Sequence, residues 1–174
     1  MLVTETTVIR QLETFLDARR YISTANITMN LLAGIDGVKY ANIVHGASNP
    51  IKFLRFFSEA AHIVDPKTRR PIMEVGDIIV VDNFAAHHRE AEQALRNSLD
   101  NLGMKLLFLP VYSPDFNPVE EVFSKLKYLL KYRYQDIVFD NLEYAVWCAI
   151  SDLEAADVYG IIDTWDISYK SMLL

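Results

Sequence analysis

The stretch LLFLPVYSPDFNPVEEVFSKLK, Leu106 to Lys127, decides how the chain is read. Three prolines, Pro110, Pro114 and Pro118, stand between a run of apolar residues and an amphipathic segment that opens with two adjacent glutamates. Proline has a fixed φ and no amide donor, so a buried strand over Met104 to Leu109 must stop there. Asn117 then reads as a helix N-cap, Pro118 as the first helical residue and Glu120 as the third, close to a capping box. Val119, Val122, Phe123, Leu126, Leu129 and Leu130 recur at helical spacing, which predicts a helix from Pro118 with one buried side.

Moving upstream, GDIIVVDN carries a second short buried strand. Ile78 to Val81 are β-branched with no polar alternation, as in a strand covered on both faces, and the run ends at Asp82-Asn83. Between the two strands, a helix is predicted around His88 to Leu102, with Ala91, Ala94, Leu95, Leu99 and Leu102 inward and Gly103 as its C-terminal cap. Earlier still, two β-type runs flank Asp36-Gly37, a hairpin signal. Asn49-Pro50 opens a helix whose apolar face is Phe53, Leu54, Phe57, Ala60 and Ala61. Leu2 to Ile9 is rich in β-branched residues, whereas Val8 to Arg19 has apolar residues at helical spacing, so that region reads either way. A last helix is expected from about Leu142 to Ala156. Hairpin, helix, strand, helix, strand, helix is the order of a mixed sheet flanked by helices, an α/β fold.

Composition sets the outer limits. The 174 residues suit one domain with a substantial core, and nothing in the composition signals disorder. Seventeen basic against 23 acidic residues give a net charge of −6. That balance weighs against a chain that grips nucleic acid by phosphate contacts alone, and it is compatible with an enzyme whose carboxylates bind metal. The single cysteine, Cys148, excludes an internal disulfide and a cysteine-built zinc site. No apolar run reaches membrane-spanning length, and the N-terminus lacks the order of a secretory signal. An intracellular protein with no membrane partner is expected.

Ligands bind at the carboxyl edge of open α/β sheets, which singles out Asp82. Asp82 reads as a turn or capping residue, or as half of a carboxylate pair completed by Glu120. Two such groups suit Mg²⁺ or Mn²⁺, hard cations that take oxygen ligands. Glu120 also has a local role as a cap at the positive end of the helix dipole. Glu121 reads as the partner of Lys125, four residues on. Lys127 and Lys131 share a helix face with Glu120 and Ser124, where they would meet a phosphate backbone or simply water. His87 and His88 point about 100° apart on a helix and cannot readily share one ion. One of them near Asp82 would position water or phosphate, or it is a first-turn histidine with no catalytic role. The basic loop Lys67, Arg69, Arg70 is a weak nucleic-acid signal and reads first as a solvated loop.

Taken together, IIVVDNFAAHH and LLFLPVYSPDFNPVEEVFSKLK resemble the second half of a DDE transposase domain of the mariner-like, ribonuclease H-like group. The pattern is strand-Asp-Asn, helix, strand, P-x-Y-S-P-D-x-N-P-x-E and a helix with spaced lysines, and 37 residues lie between Asp82 and Glu120. The hairpin NITMNLLAGIDGVKYANIVHGASN is similar too, so the likeness runs from about Arg20 to Arg133. It implies one catalytic domain over residues 1–174, with Asp82 and Glu120 as catalytic, metal-binding acids. Asn83, His87 and Asn117 would support them, and Lys127 and Lys131 would contact DNA. The implied activity is Mg²⁺- or Mn²⁺-dependent cleavage of DNA followed by strand transfer. The implied partners are transposon ends and target DNA, the assembly a homodimer, and the location nuclear in a eukaryote. One departure stands out. The group's first aspartate belongs on the first strand, usually as Asp-Glu, and here Thr4-Glu5 puts threonine where the acid should be. Asp17 and Asp36 do not fit that place either. A helix-turn-helix region is not present in the sequence. The expectation is therefore a truncated domain with its first strand missing or replaced, or an inactive remnant that binds nucleic acid or protein.

Overall fold

A computed structural model describes residues 2–8, 27–34, 36–46, 48–81, 89–109, 118–153 and 155–158. Five strands form one sheet: β1 (Leu2–Val8), β2 (Ile27–Gly34), β3 (Gly37–His45), β4 (Ile78–Val81) and β5 (Lys105–Phe108). Among the described residues, five helices accompany it: α1 (Pro50–Ala60), α2 (Arg89–Asn101), α3 (Pro118–Tyr132), α4 (Gln135–Asp140) and α5 (Leu142–Ser151). Strand order is β3-β2-β1-β4-β5. β3, β2 and β1 are antiparallel neighbours, whereas β1, β4 and β5 run parallel. This is the mixed sheet flanked by helices that the element order predicted.

The first strand is neither missing nor replaced. Leu2–Val8 is the central strand, pairing with β2 on one side and β4 on the other. Its run Val3, Thr4, Thr6, Thr7, Val8 is β-branched, which suits a pleated surface. The helical alternative at Val8 to Arg19 falls almost wholly on residues outside those described.

Alternation along the strands separates two cores. Ile27, Met29, Leu31 and Ala33 of β2 and Val80 of β4 join Val119, Val122, Phe123, Leu126, Leu129 and Leu130 of α3, together with α5. Leu32, Ile79 and Val81 face the opposite way, into a core with Phe53, Phe56 and Phe57 of α1 and Leu95 and Leu99 of α2. Ile79, Val80 and Val81 are all buried, as a strand with both faces covered requires, whereas Ile78 at the start of the predicted buried run is exposed.

Local signals place most element ends. Asn49 caps α1, its side-chain oxygen accepting from the Lys52 amide at 2.9 Å, with Pro50 just inside. Gly103 follows α2 at φ +73, and a Cβ there would meet Val75 Cγ1 at 2.9 Å. Every apolar residue predicted on the inner side of α3 is buried. Three details differ. Gly37 pairs with Gly34 and so belongs to β3 rather than to the turn that Asp36-Gly37 suggested. Ala94 and Leu102 are exposed although predicted inward. On α1 Phe56 is buried along with Phe53, Phe57 and Ala60, while Leu54 and Ala61 are only half-buried, because the helix packs on both the sheet and α2. The helix expected from Leu142 to Ala156 is α5, ending at Ser151, and residues 155–158 make a separate helical turn.

A polar ladder crosses the α1 side of the hairpin. Buried Asn30 donates to Asn42 at 2.8 Å, Asn42 donates to Glu59 at 3.2 Å, and Tyr40 donates its hydroxyl to Glu59 at 2.8 Å. Arg55 adds a 2.7 Å ion pair to the same carboxylate. Burial first, and then the bond to Glu59, push the Tyr40 phenol up to about 12 from 10.0. Tyr40 and then Arg55 hold the Glu59 carboxyl below its ordinary value. A phenol whose pKa is raised by folding adds stability that is fully present below pH 10 and lost as pH climbs through about 12. Urea midpoints of wild type and Tyr40→Phe are therefore expected to converge between these pH values. Parallel curves would show that the ladder does not hold the proton.

Candidate active site

Because β1, β4 and β5 run parallel, their carboxyl ends share one edge of the sheet, the edge at which open α/β sheets bind ligands. The ladder persists to that edge, where the Leu109 amide donates to the Val81 carbonyl at 3.0 Å. Val81 is the last residue of β4, and Asp82 follows it in sequence. Asp82, Asn83, His87, His88 and Asn117 all lie outside the described residues.

Glu120 is described. It is half-buried in the first turn of α3, between Val119 and Val122, both at 0 % exposure. Those anchors belong to the core between α3 and the sheet, and α3 packs against β1. The helix rotation that presents Glu120 is thus set by its buried stripe. Glu120 and Glu121 stand at the positive end of the helix and Lys131 in its last turn, each charge at the favourable pole.

Lys127 and Lys131 are half-buried on the same helix, seven and eleven residues beyond Glu120. Lys131 Nζ lies 5.1 Å from the Tyr132 ring centroid. Lys125 does not serve Glu121 as predicted, because its ammonium instead meets Asp157, on the turn after α5, at 3.3 Å. The loop holding Lys67, Arg69 and Arg70 is a solvated turn: the Asp65 carboxylate accepts from the Lys67 and Thr68 amides, and Arg70 pairs with Glu74 at 2.6 Å. Cys148 is a free, half-buried thiol. Among the described residues, no three His, Cys, Asp or Glu side chains gather closely enough to hold a metal ion. No described helix is long and apolar enough to cross a membrane.

Strand pairing brings forward a residue that sequence reading passed over. Thr4 pairs with Val81 on one side and Leu32 on the other, and Glu5 pairs with Leu31. Glu5 is therefore one residue past the Thr4–Val81 pair in a parallel ladder. Laterally paired residues belong to the same face. Position 5 thus shares the face of Leu31, which is covered by α3, and position 4 shares the face of Leu32, which is covered by α1 and α2. Glu5 is the only acid in β1, a signal that was available in LVTETTV but carried no face until the strand had partners.

Comparison with known proteins matches this arrangement to one family. Residues 16–141 match the family model described as DDE superfamily endonuclease. Among solved structures, the Mos1 mariner paired-end complex with Mn aligns at TM-score 0.67 and 15 % identity, over 97 % of this chain and 53 % of that one. The pre-cleavage Mos1 transpososome aligns at 0.63 and 14 %, over 98 % and 54 %. The Mos1 transposase catalytic domain with raltegravir and Mg aligns at 0.62 and 14 %, over 94 % and 77 %. At these identities the likeness is one of fold, and the chain spans about half the length of the first of these structures. Among curated proteins, none matches the sequence. With the family match covering most of the chain and the ribonuclease H-like fold shared with a mariner transposase catalytic domain, the chain belongs to the DDE superfamily endonuclease family.

Proposed function

We propose that this domain is a metal-dependent DNA endonuclease and strand-transfer domain of the transposase type, with Glu5, Asp82 and Glu120 as its carboxylates. The observation that carries the proposal is the β1–β4 register, in which Glu5 is one residue beyond the Thr4–Val81 pair and on the α3-covered face. On this reading the first aspartate of the family is absent and its neighbour, one position along the strand, supplies the acid.

The donor set fits the metal that the family implies. Glutamate and aspartate offer only oxygen ligands, which suit Mg²⁺ or Mn²⁺. Such ions, when bound, stabilise the attacking and leaving oxygens of an in-line phosphoryl displacement. The remaining work belongs to the chain. Glu120 is fixed by its place on a packed helix, so little order must be gained when it takes up a ligand. Asn83 and His87 follow Asp82 closely enough in sequence to orient water or a phosphate oxygen, and Asn117 immediately precedes, in sequence, the helix that carries Glu120. Lys127 and Lys131 meet the DNA backbone along α3. One matching Mos1 structure is a paired-end complex with a left transposon end, which supports DNA as the substrate; a homodimer is the assembly proposed with it.

Nicking of supercoiled plasmid in Mn²⁺ tests the proposal. Wild type is expected to nick, and Asp82→Ala and Glu120→Ala are expected not to. Nicking that persists in both variants would make the assignment wrong. A wild type that does not nick would favour the other reading, an inactive nucleic-acid- or protein-binding remnant, for which Thr4 in place of an aspartate is the supporting observation.

A further inference from the structure

The outward face of α3 carries a feature the cleavage chemistry does not use. Tyr128 and Tyr132, one helical turn apart, are 57 % and 65 % exposed, and their ring centroids are 4.8 Å apart with the planes tilted by 44°. Two large aromatic rings left this open on a packed helix cost apolar exposure with no return in the core. The surrounding charge is as uneven. From Val122 to Gln135 the chain holds Lys125, Lys127, Lys131 and Arg133 and no acid, within a protein of net charge −6. Lys125 and Arg133 are drawn to Asp157 and Asp152, while the Lys131 ammonium sits by the Tyr132 ring.

We infer that Tyr128 and Tyr132 form a stacking platform for unpaired bases of a DNA strand whose backbone runs along the lysines of α3. Aromatic faces interleaved with cations are the means by which proteins hold single strands without reading sequence. A duplex cannot use these rings, because its bases are already stacked on one another. Helical rise puts Tyr128 and Tyr132 about 12 and 18 Å along the axis from Glu120. A strand with its phosphate at the Glu120 end would thus lay bases on the rings a few nucleotides away. This inference deepens the proposed function and rests on it for the direction of the strand, but not for the binding itself.

The test is fluorescence anisotropy with a labelled oligothymidylate, an abasic strand of equal length and a duplex, across a series of salt concentrations. Wild type is expected to favour oligothymidylate over both competitors. Tyr128→Ala with Tyr132→Ala should weaken that binding by about 10-fold or more, leaving the dependence on salt unchanged, since stacking releases no counterions. Tyr→Phe at both positions should bind as wild type, which separates stacking from any loss of folding. Lys131→Ala should lower the salt slope by about one. The inference is overturned if the alanine pair binds as wild type, if the abasic strand or the duplex binds as well as oligothymidylate, or if wild type binds none of them. It is also overturned if the alanine pair changes the oligomeric state without DNA, which would mark a protein contact. Glu120→Gln keeps the platform apart from the catalytic reading. Tyrosine-dependent binding by a wild type that does not nick leaves the platform standing and removes the enzyme, whereas nicking with no tyrosine dependence does the reverse.

Discussion

Glu120→Gln is expected to reduce Mn²⁺-dependent nicking by at least about 100-fold while changing stability by less than about 1 kcal/mol. Both halves follow from where the residue sits. Glutamine serves as well as glutamate at the third position of a capping box, so the substitution keeps whatever capping the sequence pattern provides. Only the favourable charge at the helix N-terminus is lost, typically about 0.3–1 kcal/mol for a group that is not buried outright. A metal ligand is a different matter. Losing even an outer-shell partner of a ligand costs about 10–100-fold, so losing the ligand's charge should cost more. Nicking and the urea midpoint, measured on the same preparation, separate the two roles. A fall in both together would mean that Glu120 serves chiefly as a cap.

The second large effect concerns the core beneath the hairpin. Phe56→Ala is expected to destabilise the domain by about 3–5 kcal/mol, the range for removing a buried aromatic ring. Phe56 is 1 % exposed, stacks on Tyr40 at 5.1 Å and meets Phe57 edge-on at 5.4 Å. Its loss would leave a cavity bounded by α1 and the sheet, where both layers are pinned by other contacts and collapse poorly. Against a total stability on the order of 5–15 kcal/mol, that is enough to unfold much of the population near physiological temperature. Thermal melting followed by circular dichroism checks it, and a loss below about 1 kcal/mol would mean that the layer between α1 and β3 repacks freely.

Periodicity and caps carried most of the fold. The inner stripe of α3, the Asn49-Pro50 start of α1, Gly103 after α2 and the buried run Ile79–Val81 were all readable locally, because each depends on neighbours within one or two turns. What depended on distant partners was not. Phe56 was not named on the apolar face of α1, yet α1 has the sheet on one side and α2 on another, so its buried arc is wider than a single stripe. Lys125 had a good local partner in Glu121 and took Asp157, 32 residues on. The same limit governs the proposed carboxylate site. LVTETTV could be seen as a strand, but whether Thr4 or Glu5 belongs to the α3-covered face is a matter of register, and register is set by pairing with β2 and β4. A threonine at the place where an aspartate was sought therefore hid an acid one residue away.

The claim that Glu5 completes the carboxylate site is tested most directly by Mn²⁺ titration, followed by electron paramagnetic resonance, of wild type, Glu5→Gln and Thr4→Val. Glu5→Gln is expected to weaken Mn²⁺ binding by at least about 10-fold, with Thr4→Val binding as wild type. Weaker binding in Thr4→Val with unchanged binding in Glu5→Gln, or no change in either, would contradict the account.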